Sequence, residues 1–211
     1  METSNKKNKN ADNPLFTVFH PFDASYDIRF KDKGKVWVAV LILAVCFLIS
    51  VFQRQSTGYI FNKNKLSDLN VFLQLAGVLI PYVLFVAANQ IVGILMNCTG
   101  RLRDIAIYSA YCLIPYFAGD FVGVLLSNIL VKNEPFGIYV VVFGAAWSLI
   151  ILFIGLMTMH ELGFIKAVFN ALCTVAVMFI LLFLIMLAGS LLSDFYTFIG
   201  TVFKEIGFRI N

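Results

Sequence analysis

Five separate runs of apolar residues dominate this sequence, at about 36–52, 71–96, 104–131, 136–159 and 166–192. A helix rises about 1.5 Å per residue and the hydrocarbon core of a bilayer is about 30 Å thick, so each run can cross a membrane as a helix. Lipid leaves no water to satisfy backbone N–H and C=O groups, so such segments must bond internally. The chain is therefore expected to be all-α: a polytopic integral membrane protein built as a five-transmembrane-helix bundle. Composition agrees, since 60% of the 211 residues are hydrophobic and only 13% charged, where soluble domains carry about a quarter charged.

The residues between the runs set the boundaries. Residues 1–34 read as a cytoplasmic amino-terminal segment, partly interfacial, and 35–193 as the membrane domain. Lys31, Lys33 and Lys35 open the first span and Gln53-Arg54-Gln55 closes it; a polar loop containing Lys63 and Lys65 follows, with Tyr59, Ile60 and Phe61 suited to the interface. Pro81 in the second span and Pro115 in the third are read as kinks, because neighbouring groups can satisfy the carbonyl a proline frees. Asn97 to Arg103 makes a tight turn, Lys132-Asn133-Glu134-Pro135 breaks the pattern, and His160-Glu161-Leu162-Gly163 leads into the fifth span. Residues 194–211 carry Phe195, Phe198, Ile199, Val202, Phe203 and Ile206 at helical spacing, as in an amphipathic tail lying on the membrane surface. No cleavable signal peptide fits the basic, mixed start of the chain, so the first span is expected to serve as its own insertion signal.

Basic residues give the orientation. With the amino terminus inside, inner segments hold Lys6, Lys7, Lys9, Arg29, Lys31, Lys33, Lys35, Arg101, Arg103 and Lys166, against Arg54, Lys63, Lys65, Lys132, Lys204 and Arg209 outside. This bias predicts a cytoplasmic amino terminus and an external carboxyl terminus.

Asp120 is the acidic residue deepest inside a run. An ionised carboxylate at mid-membrane costs about 2.5–3.5 kcal/mol, so it must face the bundle, find a partner or hold its proton. It reads either as a proton or cation relay or as a hydrogen-bonding post that fixes packing. Ser109, Cys112, Tyr116, Asp120, Gly123 and Ser127 recur at steps of three and four and share a helix face. Gly137, Gly144, Ser148 and Gly155 form a second small-residue seam, of the kind that lets membrane helices approach closely. Either stripe could pack a helix or line a polar path. Asn89, with Gly93 and Asn97 near it and Gln74 further out, supplies amides that can join helices.

Catalytic patterns are missing: no His-Glu-x-x-His, no paired intramembrane aspartates, no phosphate-cradling glycine loop. No catalytic residue, cofactor, metal or nucleic-acid partner is expected. Cys46, Cys98, Cys112 and Cys173 lack the spacing of metal or redox motifs and read as small core residues. Asn97-Cys98-Thr99 matches a glycosylation sequon but falls on the inner side of the expected topology.

His20-Pro21-Phe22-Asp23 with Asp27-Ile28-Arg29-Phe30, then Arg101-Leu102-Arg103-Asp104 leading to Tyr111-Cys112-Leu113-Ile114-Pro115-Tyr116, then Trp147-Ser148-Leu149, Gly155 and His160-Glu161, together resemble the Yip family, named for Ypt-interacting proteins, and in particular its bacterial members. The resemblance covers nearly the whole chain. It implies a five-helix membrane domain with a cytosolic amino terminus, located here in a bacterial cytoplasmic membrane. Eukaryotic relatives are associated with small GTPases and vesicle traffic; many bacterial relatives are associated with sugar-uptake ABC transporter genes. The short, lysine-rich amino terminus departs from the long Pro- and Gly-rich arm of many eukaryotic members and points away from a GTPase-linked role.

Two functions follow as expectations. The first is a non-enzymatic scaffold or accessory subunit that binds the lipid bilayer and other membrane proteins, an ABC-type permease or a second copy of itself. The second is a small transporter or channel with a polar path through Asp120, Tyr116 and Ser127.

Overall fold

The computed structural model describes residues 14–56, 70–129 and 136–210. Lys6, Lys7 and Lys9, the loop with Tyr59, Ile60 and Phe61, the break at 132–135, and the side chains of Val202, Phe203, Ile206 and Arg209 lie outside the described residues. All regular structure among the described residues is helical: α1 Pro14–Phe19, α2 Pro21–Lys31, α3 Val36–Ser56, α4 Val71–Leu95, α5 Leu102–Cys112, α6 Ile114–Ser127, α7 Phe136–Met159 and α8 Phe164–Ile210. Five segments are long and apolar enough to cross a membrane, with α5 and α6 together forming the third.

The helix ends follow from local chemistry. Asn70 caps α4 by accepting from the Phe72 and Leu73 amides at 3.0 and 3.2 Å, satisfying two of the donors that every helix start leaves open. Asp32, Asn97 and Glu161, with φ of 48°, 53° and 54°, turn the chain out of α2, α4 and α7 through the left-handed region. The third apolar run extends to residue 131 in the sequence, yet its helix stops at Ser127. Asn128 accounts for the stop, because its side-chain amide donates to the Ser56 and Val124 carbonyls at 2.8 and 3.0 Å and closes α3 and α6 together.

The two prolines act differently. Pro115 divides the third span: α5 ends at Cys112, and the Leu113 amide bonds back to Ala110 at 3.2 Å in a tighter turn. Pro81 leaves α4 continuous, although it has no N–H to give the Gly77 carbonyl one turn earlier.

Helix α5 is the centre of the bundle, with Asp104, Ile105 and every residue from Ile107 to Cys112 buried. Glycines bring α7 against it and against α6. A Cβ on Gly155 would fall within the ring of Tyr108, and one on Gly144 would lie 2.6 Å from the Pro115 carbonyl oxygen. Tyr108 fills the room that Gly155 leaves and donates its hydroxyl to the Ile151 carbonyl at 2.9 Å. Gly123 stands against Val141 and the Gly137 carbonyl.

Two segments lie outside this core. The chain ahead of the first span forms α1 and α2, which pack on α5, α6 and α7 and bury Thr17, Ala24, Ser25 and Ile28. At the other end of the chain, α8 runs for 47 residues without interruption, so residues 194–210 continue the fifth helix. The hydroxyls of Thr197 and Thr201 bond back to the carbonyls of Ser193 and Thr197, both at 3.0 Å, and are satisfied within the helix.

Candidate functional site

Polar side chains gather at two levels of the bundle. One level, the Arg29 end, is where α4 and α7 finish and α5 and α8 begin. The other, the Asp120 end, is where α3 and α6 finish and α4 and α7 begin.

At the Asp120 end a cavity of about 500 Å³ opens between α3, α4, α5, α6 and α7. Asp120 lines it at 3% exposure and accepts a 2.7 Å hydrogen bond from Gln53 Nε2. The first apolar run ends at Phe52 in the sequence; the helix runs on to Ser56, which carries Gln53 into the bundle. Asp120 is also nearer one end than its place in the run suggests. It lies seven residues before the end of α6, about 10 Å along the axis.

Gln74 donates to the Ser50 carbonyl at 3.2 Å, and Tyr82 and Ser109 both donate to the Ala106 carbonyl, at 2.7 and 3.0 Å. Ser148 donates to the Cys112 carbonyl. Tyr116, Gly77 and Pro81 complete this part of the wall, so the carbonyl that Pro81 cannot bond belongs to a cavity residue. The break at Leu113 decides how the small polar stripe is used. Ser109, Cys112, Tyr116 and Asp120 reach the cavity, whereas Gly123 packs on α7 and Ser127 turns its hydroxyl to the Val124 carbonyl at 2.7 Å. Pro115 faces away, towards Gly144 and an apolar groove on the opposite side of α6.

At the Arg29 end the buried polar groups are more numerous, and most of them were not singled out in the sequence. Asn89, fully buried, donates to Asn170 Oδ1 and Thr174 Oγ1, both at 3.1 Å, while its own Oδ1 lies 2.8 Å from His160 Nε2. Because that amide oxygen can only accept, Nε2 carries the proton. His160 Nδ1 has no hydrogen-bond partner among the described residues. Gly93 and Gly100 hold the ring between them; a Cβ on either would come within 2.7 Å of it. Burial, with the positive charge of Arg29 adding to it, pushes the His160 pKa below the ordinary imidazole value. The ring is neutral at pH 7.

Beside it, Arg29 of α2 donates to the Thr99 carbonyl and stands 3.6 Å from Asp104 and 4.0 Å from Glu161. Thr99 donates in turn to Glu161 at 3.1 Å. Asn170 and Thr174 sit one turn apart on α8, a spacing that marks a shared face, but nothing local says that Asn89 will meet it. Among the described residues no group of three His, Cys, Asp or Glu side chains could hold a metal ion, and the four cysteines are free thiols.

These features define a polytopic α-helical membrane bundle with buried polar clusters and a half-open cavity between its spans. A family model for the Yip1 domain matches residues 16–202. The chain belongs to the Yip1 domain family. Comparison with curated proteins and with solved structures found no match for this chain.

Proposed function

We propose that this protein is a non-enzymatic scaffold or accessory subunit that binds other membrane proteins through its fifth span. The observation carrying this reading is α8: every residue from 182 to 201 is exposed, on all sides of the helix. The stretch Phe164–Thr201 of this helix is 38 residues and so about 57 Å long, against a hydrocarbon core of about 30 Å, while its apolar run, 166–192, is about 40 Å long. Tilting by up to about 40° lets the apolar run cross, and residues 193–201, with Asp194 among them, continue the helix beyond it. A partner helix alongside residues 182–201 would cover side chains that none of the other described residues covers. Gly189 and Gly200, with open space where a Cβ would stand, allow close approach of the kind that drives association in lipid. The family resemblance favours an ABC-type sugar permease as the partner. The excess of basic residues before α3 and between α4 and α5 supports a cytoplasmic amino terminus, and the family resemblance favours a bacterial plasma membrane. Photo-cross-linkers placed at Leu184 and Leu191 in native membranes test the reading. A single protein adduct, identified by mass spectrometry, supports it; lipid adducts alone at both positions refute it.

A second reading rests on the cavity: a small transporter or channel in which a solute enters beside Asp120 and Tyr116. The lining supplies one carboxylate, several hydroxyls and amides, and the carbonyl freed by Pro81. Proton, ion and sugar flux measured in liposomes for the native protein and for Asp120→Asn decides it. Asparagine can still accept from Gln53, so flux lost on this substitution identifies a role for the charge, and absence of flux in the native protein removes the reading.

A further inference from the structure

Helix α2 divides its circumference into three arcs. Ala24, Ser25, Ile28 and Arg29 face the bundle and are buried, as is Asp27 at the border of that face. Asp23 and Lys31 form an exposed polar arc on either side of the buried Asp27, whose carboxylate Lys31 and Lys33 hold at 2.5 and 2.9 Å. The third arc is Phe22, Tyr26 and Phe30, again spaced by four, and Leu15 and Phe19 of α1 continue it across the His20-Pro21 bend. All five are exposed, from 49 to 75%. A helix resting on a protein in water would turn polar residues outward on both free arcs; this one turns aromatic rings outward on one of them.

Where the aromatic arc lies in the bundle says what meets it. Trp147 donates its indole N–H to the Val18 carbonyl at 3.1 Å, and Trp147 is twelve residues before the end of α7, about 18 Å in from the Arg29 end. Val18 is therefore level with the middle of a membrane-spanning helix, whose Phe143 and Ile150 are themselves outward-facing. Phe19 also forms one wall of a groove of about 440 Å³ between α6 and α7, lined almost wholly by apolar residues that include Val122, Val140 and Phe143. The arc thus joins, through Phe19, the apolar surface that the spans present to lipid.

We infer that α1 and α2 form a membrane-inserted foot, which sinks Leu15, Phe19, Phe22, Tyr26 and Phe30 among the phospholipid acyl chains of the leaflet at the Arg29 end and keeps the Asp23–Lys31 arc towards the head groups and water. Amphipathic helices seat themselves in this way when an apolar face meets hydrocarbon and the polar face stays wet. Here the buried arc, anchored by Arg29, and the Trp147–Val18 bond fix the foot to the bundle.

The test uses the full chain in vesicles of phosphatidylethanolamine and phosphatidylglycerol, with p-benzoylphenylalanine replacing Phe22, Tyr26 or, as the polar-arc control, Asp23. All three positions are exposed, so the substitutions leave the core alone, and elution as a single species confirms folding. After irradiation, intact mass is expected to show phospholipid adducts at Phe22 and Tyr26, several-fold more abundant than at Asp23. Absence of lipid adducts at Phe22 and Tyr26, or equal yield at Asp23, overturns the inference.

Discussion

His160 gives its Nε2 proton to Asn89 across 2.8 Å, and Asn89 passes its own amide hydrogens to Asn170 and Thr174. The turn after α7, the inner part of α4 and the start of α8 are therefore tied by one side chain. Among the described residues of α8 the buried ones, Ala167, Asn170 and Thr174, all lie near this end, so the anchorage of the fifth span depends on Asn89 and its neighbours.

Replacing Asn89 by leucine removes three hydrogen bonds and leaves the Asn170 and Thr174 side chains and the imidazole N–H without their partner. Interhelical hydrogen bonds in membranes average about 0.6 kcal/mol, and stranding a buried polar group costs about 1–3 kcal/mol. Loss of about 2 kcal/mol is expected in denaturant titration in detergent, with Thr174→Val costing less, since it cuts one of the three bonds.

His160 makes stability depend on pH with a definite sign. Its folded-state pKa lies below the ordinary value near 6.5 because burial, and then Arg29, oppose the charged ring. The unfolded chain thus takes up a proton that the folded chain refuses. The contribution is complete above about pH 6.5 and declines as pH falls through the window below it. Thermal unfolding in nanodiscs should show a lower midpoint at pH 5.5 than at pH 7.5, and His160→Gln should flatten that slope.

Arg29 joins α2 to the start of α5 through Asp104, and both side chains are nearly inaccessible, at 8 and 3%. Removing one member of a buried ion pair leaves an uncompensated charge and costs about 3–5 kcal/mol. Arg29→Met is expected to destabilise on that scale and to expose α2 to protease. The double variant Arg29→Met, Asp104→Leu should recover much of the loss, because no charge is then stranded. Equal damage in both variants would mean that the Thr99 contact, not the ion pair, carries the effect.

Gly155 and Gly189 give a matched pair of substitutions. A methyl on Gly155 overlaps the Tyr108 ring, whereas one on Gly189 meets nothing within 4 Å. Gly155→Ala should cost about 1–3 kcal/mol by overpacking, and Gly189→Ala should stay within about 0.5 kcal/mol. Adding Tyr108→Leu to Gly155→Ala should restore part of the loss, as measured by thermal unfolding.

How far the candidate sites could be read in advance differs from residue to residue. The glycine seam of α7 is written in its spacing, because helical periodicity alone puts Gly144, Ser148 and Gly155 on one face. Asp120 announces itself by its cost in lipid, but its partner does not: Gln53 follows Phe52 and precedes Arg54, which looks like the start of a loop. The His160 cluster was hardest to see. Its members come from residues 89, 160, 170 and 174, each an ordinary polar residue in its own segment, and only helix packing makes them one network.

The apolar runs by themselves determined that this chain is helical and crosses the membrane five times, because hydrocarbon tolerates no unbonded backbone and a run of sufficient length has one solution. Tertiary structure alone decided which polar groups meet, that Pro115 breaks its span while Pro81 lines a cavity without breaking α4, and that α2 is clamped to the bundle by Arg29. The difference is physical: transfer into lipid is a property of each segment summed along its length, whereas a hydrogen bond between α4 and α8 exists only once two helices have settled in one register.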